Sequence, residues 1–97
     1  MLNKQTIEEI KTIIFSYLNP KKDKVFLFGS RAIGDARKFS DIDIGIKTAK
    51  KLPSETKLAI EEAFEESNIP YTIDVVDFSQ TSDQFRDVAL KKIISLN

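Results

Sequence analysis

Cysteine, histidine and tryptophan are absent from this 97-residue chain. Without cysteine there is no disulfide, no thiolate-bound zinc and no thiol nucleophile. Without histidine there is no Ser-His-Asp triad, no imidazole base and no His-ligated metal. Chemistry must run on carboxylates, hydroxyls, lysines, arginines and backbone groups. An excess of charge is also missing: 15 Lys+Arg against 15 Asp+Glu give a formal net charge of zero and a pI near 6.3. Proteins that grip duplex nucleic acid by its phosphates carry a clear basic surplus, so nucleic acid is not an expected partner. Zero net charge leaves association with another protein unopposed. No apolar run approaches the roughly 18 residues of a membrane span. The start, MLNKQTIEEIK, is too polar for a signal peptide. The expectation is a cytoplasmic protein without membrane contact.

What is present is an ordinary globular mix, 41% apolar and 31% charged. The length suits one domain over residues 1–97, and no repeat or linker divides it. Thr6 and Glu9 make a capping box, followed by Ile7, Ile10, Ile14, Tyr17 and Leu18 at helical spacing. Asn19-Pro20 should stop that helix. Val25 to Phe28 is a short continuous apolar run, the mark of a buried strand. Gly29-Ser30 breaks it, and Arg31-Ala32-Ile33 suits a single helical turn. From Asp41 to Lys47 the pattern alternates, with Ile42, Ile44 and Ile46 on the core face and Asp41, Asp43, Gly45 and Lys47 on the other. A second long helix is predicted from Ser54 to about Ser67, with Ile60, Ala63 and Phe64 inward. Tyr71 to Val76 is β-branched and aromatic enough for a third strand, with Tyr71 in a packing role. A last helix is predicted from Ser82 to the chain end, burying Phe85, Val88, Ala89, Ile93 and Leu96. The order α-β-α-β-α-β-α is that of an α/β protein, broadly read, with helices covering a sheet; periodicity leaves the strand directions open.

Candidate chemistry centres on carboxylates. Asp41 and Asp43 leave one face of a strand with Cα atoms about 6.5 Å apart. Asp74 would join them if the third strand neighbours the second. Three carboxylates on one patch repel, and a hard divalent cation with oxygen ligands, Mg²⁺ or Mn²⁺, would relieve that. An acid pair on a strand is equally consistent with a solvated polar face. Gly29-Ser30 after a buried strand presents backbone N–H groups and a hydroxyl to an anion, a phosphate-accepting arrangement, or else forms a plain turn with an N-cap. Arg31 either contacts phosphate or pairs with a carboxylate such as Asp35. Arg37 and Lys38 precede the acid pair in the loop. Lys47, Lys50 and Lys51 either neutralise a phosphate chain or belong to a solvated loop.

Taken together, GSRAIGDARKFSDIDIGI, preceded by VFLF and followed by one carboxylate on a later strand, resembles the nucleotidyltransferase superfamily that includes DNA polymerase beta. It looks most like the minimal nucleotidyltransferase (MNT) group, small antitoxins paired with HEPN-domain toxins. The resemblance implies a nucleotidyltransferase-like mixed β-sheet of three or more strands with helices packed on it. It implies that Gly29, Ser30 and Arg31 bind nucleotide, with Gly29 and Ser30 on the β- and γ-phosphates of ATP. Asp41 and Asp43 would ligate two Mg²⁺ ions, and Asp74 would complete the metal site and help deprotonate the acceptor. Asp77 competes with Asp74 for that role, but lies an odd number of residues away and should face the other side. Ile33 stands where many relatives have a second arginine, so Arg31 is the only arginine of the turn.

Larger members use a second domain to hold the acceptor, and only about twenty residues follow Asp77 here. The expectation is therefore a hetero-oligomer in which a HEPN-domain toxin supplies the acceptor, a tyrosine hydroxyl, and is silenced by receiving AMP. Two alternatives stand beside it: an antitoxin that neutralises its partner by binding alone, and a nucleotidyltransferase acting on a small molecule.

Overall fold

The computed structural model describes residues 3–29, 41–79, 87 and 93–97. Helix α1 is Lys4–Ile14, strand β1 Lys24–Phe28, strand β2 Ile42–Lys47, helix α2 Ser54–Glu65, strand β3 Ile73–Asp77 and strand β4 Ile94–Ser95. The sheet runs β3-β2-β1-β4. β1 is antiparallel to both β2 and β4, whereas β2 and β3 are parallel and joined through α2. This is the mixed sheet with packed helices that the sequence resemblance implies.

The helices follow the apolar stripes, with two shifts at their ends. The N-cap of α1 is Asn3, not Thr6: its Oδ1 accepts the Thr6 N–H at 2.7 Å. Asn caps at least as well as Thr, and starting three residues earlier gives α1 nearly another turn of backbone hydrogen bonds. Ile10 and Ile14 are fully buried. α1 ends at Ile14, where the Phe15 N–H closes onto the Lys11 carbonyl, so the helical period no longer governs Tyr17. Tyr17 is 45% exposed rather than core. α2 starts at Ser54 as expected and buries Ile60 and Phe64.

The chain end departs most from expectation. Instead of helix to the last residue, Ile94 and Ser95 pair with Leu27 and Phe26. The Leu96 N–H donates to the Val25 carbonyl at 2.9 Å. Asn97 locks this arrangement, its Oδ1 accepting from the Val25 N–H and its amide donating to the carbonyls of Pro20 and Asp23. The free edge of β1 offers unpaired backbone groups, and β-branched Ile93-Ile94 suits a strand that meets them. Asp87 is helical; Phe85, Val88 and Ala89 of the expected last helix lie outside the described residues, as does the turn at Arg31-Ala32-Ile33.

One face of the sheet carries Val25, Leu27, Ile42, Ile44 and Ile46, all essentially inaccessible, against Ile10, Ile14, Ile60 and Phe64 of the helices. Each such side chain contributes about 1.5–3 kcal/mol by its burial. The opposite face is polar at one end only. Phe26, Phe28 and Phe78 stack beneath it, with ring centroids 5.6 Å apart for Phe26–Phe78 and 5.4 Å for an edge-on Phe28–Phe78 pair. Gly45 is buried under these rings. A methyl group there would overlap the Phe26 ring and come within 2.9 Å of the Phe78 ring. Gly45→Ala is therefore expected to destabilise the protein by about 1–3 kcal/mol, read as a lower urea midpoint with an unchanged m-value. Among the described residues, no helix is long and apolar enough to cross a membrane.

Candidate active site

Pairing across the sheet brings one group of acids to the C-terminal end of β1. Phe28 faces Asp43 across the antiparallel ladder, so the next residue, Gly29, lies against the Asp43 side chain. Gly29 has φ of 76°, a left-handed conformation that L side chains adopt only with strain. A β-carbon on it would overlap Oδ2 of Asp43 and sit 3.3 Å from Cγ. The glycine backbone and the carboxylate are thus in direct contact.

Asp43 is level with Asp74 on the parallel neighbour β3, and residues aligned in this way project to one face of a sheet. Asp41, two positions before Asp43, precedes β2 directly. Asp41 and Asp74 are exposed and Asp43 is half-buried. Burial pushes the Asp43 carboxyl above the usual carboxylate range, and the negative charges of Asp74 and Asp41 push it in the same direction. Asp41 and Asp74 therefore both lie near enough to Asp43 for their charges to act on its carboxyl.

The donor set is oxygen only, which suits a hard divalent ion. Among the described residues, however, no group of three or more acidic side chains closes around a metal position. The acids form an open face rather than a cage, so a cation held there must take further oxygen ligands from elsewhere. Phosphate oxygens at the adjoining Gly29 backbone are chemically suited to the task. Ser30 and Arg31, the other expected nucleotide contacts, lie outside the described residues, as do Asp35, Arg37 and Lys38.

Asp77 has a structural role. Its register partner is Ile46, on the core face of β2, so it points away from Asp43. Its Oδ2 accepts the Leu52 N–H at 3.1 Å and its Oδ1 the Ser79 N–H at 2.9 Å. Burial pushes its carboxyl up, but the nearby Ser79 hydroxyl, the two N–H groups and the charge of Lys51 outweigh burial and hold it below the usual range; the hydroxyl itself falls short of hydrogen-bond geometry. A depressed carboxylate stabilises the fold above its unfolded pKa, and that contribution is lost as pH falls through the folded value. Asp77→Asn should thus lower stability at pH 7 by about 0.5–1 kcal/mol. The difference should shrink by pH 3, as paired urea titrations would show.

The lysines of the β2 end do not join the acids. Lys47 pairs with Lys24 at the far end of the ladder from Phe28 and Asp43. Four residues of strand separate it from Asp43, about 13 Å, and Lys50 and Lys51 lie beyond.

Residues 8–96 match the Polymerase beta, Nucleotidyltransferase family. The chain belongs to that family. Over 67 residues it is 39% identical to a probable protein adenylyltransferase, MntA, of Haemophilus influenzae, a match covering 69% of this chain and 59% of the relative's length. Among solved structures it resembles a chain of a toxin–antitoxin complex with AMP-PNP, with a TM-score of 0.71 and 24% identity over 99% of this chain and 73% of the other. It also resembles a chain of a complex between an MNT antitoxin and the tri-AMPylated HEPN toxin of Shewanella oneidensis, with a TM-score of 0.72 and 21% identity over 99% and 72% of the two chains. At these identities the structural matches establish the nucleotidyltransferase fold.

Proposed function

We propose that this nucleotidyltransferase-family chain transfers AMP from ATP to a hydroxyl, that of a tyrosine, on a HEPN-domain toxin, and acts as the antitoxin of the pair. The observation that carries the reading is the contact of Gly29 with Asp43, level with Asp74 across the sheet. It sets a phosphate-accepting turn against paired carboxylates. The names borne by the relatives point the same way: one is a probable protein adenylyltransferase, another a complex whose toxin is AMPylated.

In this reading the Gly29 backbone and Ser30 receive the β- and γ-phosphates, since glycine lets a phosphate come close. Arg31 adds a positive charge. Asp41, Asp43 and Asp74 hold the divalent cations, Mg²⁺ or in its place Mn²⁺, two of them by the resemblance. When bound, these supply positive charge that offsets the transition state and lowers the pKa of the acceptor hydroxyl. The acceptor oxygen forms a bond to the α-phosphorus, and the bond from that phosphorus to the bridging oxygen breaks. Pyrophosphate leaves with the electron pair, and the hydroxyl proton passes to Asp74. Positioning and electrostatics do most of this work, so the missing histidine is no obstacle.

The test is to combine the chain, its HEPN-domain partner, ATP and Mg²⁺, and to measure the intact mass of the partner. A gain of one or more adenylyl groups is expected. A bound partner with unchanged mass would leave neutralisation by binding alone.

A further inference from the structure

We infer that the free edge of β3 is a strand-addition site, and that an extended segment of the partner bearing the acceptor hydroxyl pairs with it. The inference rests on the proposed transfer to a protein and says how that protein is held.

Among the described residues β3 is the outermost strand at its end of the sheet. Ile42 donates to the Thr72 carbonyl at 2.9 Å and Phe78 to the Ile46 carbonyl at 2.8 Å. In a parallel ladder, alternate residues face the neighbour, so positions 72, 74, 76 and 78 are spent on β2. The backbone groups of Ile73 and Val75 point outward, and among the described residues no strand pairs with them. Two clefts lie along this edge between β3 and α2. One, of about 520 Å³, runs from Ile69 to Asp74 beside Phe64 and Glu65. The other, of about 530 Å³, runs along Val75 to Asp77 beside Ser54 and Lys57. Both are lined by Glu61, so the two clefts adjoin at that side chain along the strand edge.

Asp74 lines one of these clefts. A strand added to β3 would place the residue opposite Asp74 on the same face as Asp43, with Cβ atoms about 4.5–5.5 Å apart. Its hydroxyl would then arrive beside the carboxylate proposed to receive the proton, with main-chain hydrogen bonds supplying affinity and register. Charge favours one kind of segment. Glu61, Glu65 and Asp74 line the first cleft, whereas in the second Lys51 and Lys57 are balanced by Glu61 and Asp77. The segment that fits is basic around its acceptor residue.

Hydrogen exchange on the chain, alone and with the HEPN-domain protein, tests this. The amides of Ile73 and Val75 should exchange readily in the free chain and slow by about tenfold or more in the complex; those of Asp74 and Val76, already in the ladder, should change little. The double variant Glu61→Lys/Glu65→Lys, checked for an unchanged circular dichroism spectrum, should lose that protection and transfer AMP roughly tenfold more slowly. No complex, a complex without slowing at Ile73 and Val75, or the same slowing with Mg²⁺ and ATP alone or with the concentrated chain alone, would overturn the inference. Measuring the partner's mass in the same samples separates the two proposals. Adenylylation without edge protection removes only the docking site, and edge protection without adenylylation removes only the transfer.

Discussion

Asp43→Asn is expected to slow adenylyl transfer by at least about 10²–10³-fold, the scale seen when one preorganised electrostatic group is removed from a transition state. The same substitution should raise the unfolding temperature of the metal-free protein. Both effects come from one feature, the crowding of negative charge at Asp43. Burial and the charges of Asp74 and Asp41 raise its carboxyl above the ordinary value. A carboxyl raised on folding binds its proton more tightly in the native state. Stability is therefore higher where the group is protonated, and falls as pH rises from the unfolded value through the folded one. At neutral pH the ionised group opposes folding, and the isosteric amide removes that opposition. Chelated samples should thus show the variant unfolding at the higher temperature, with the gap closing toward pH 3. Mg²⁺ and ATP should stabilise the parent, by about 2.7 kcal/mol at a hundredfold excess over Kd, and leave the variant unmoved. A variant that loses both activity and metal-free stability would mean that Asp43 holds the fold together instead.

Much of this site could be read from the sequence, because it depends on short-range pattern. The alternation from Ile42 to Lys47 puts Asp41 and Asp43 on one face, and the parity between Asp74 and Asp77 separates the two candidates for the third acid. What remained hidden depends on long-range pairing. Nothing in the local sequence shows that β1 runs antiparallel to β2, and only that pairing brings Gly29 onto Asp43. Likewise Gly45 reads as a gap in a polar face until Phe26 and Phe78, 19 and 33 residues away in sequence, arrive over it. The short strand at Ile94–Ser95 is hidden from the local pattern because Ile93 and Leu96 fit a helical stripe as well as a strand end, and the open edge of β1 that decides between them is a tertiary feature. Asn3 is a weaker local cap signal than Thr6-x-x-Glu9, although three further residues of helix outweigh one reciprocal bond.

Gly29→Ala should separate the two halves of the site. The alanine must hold φ near 76°, which costs about 1–2 kcal/mol for an L residue. In a domain of this size that lowers the melting temperature by roughly 4–8 °C per kcal/mol. The new methyl also overlaps Oδ2 of Asp43. That oxygen ends a side chain able to rotate, so the carboxylate swings aside before the strand moves. The stability loss should therefore stay near the backbone figure, while transfer falls by about 10²-fold, since a displacement of about 1 Å at a catalytic group suffices for that. The double variant Gly29→Ala/Asp43→Asn is the decisive comparison. If the methyl acts by moving the carboxylate, its effect on rate should largely vanish once the carboxylate has gone, a non-additivity expected of groups in contact. The effects on stability should still add, because the backbone strain does not depend on the identity of residue 43. Rates that multiply independently would mean that Gly29 contributes through its own backbone, as a phosphate contact whose geometry the methyl disturbs directly.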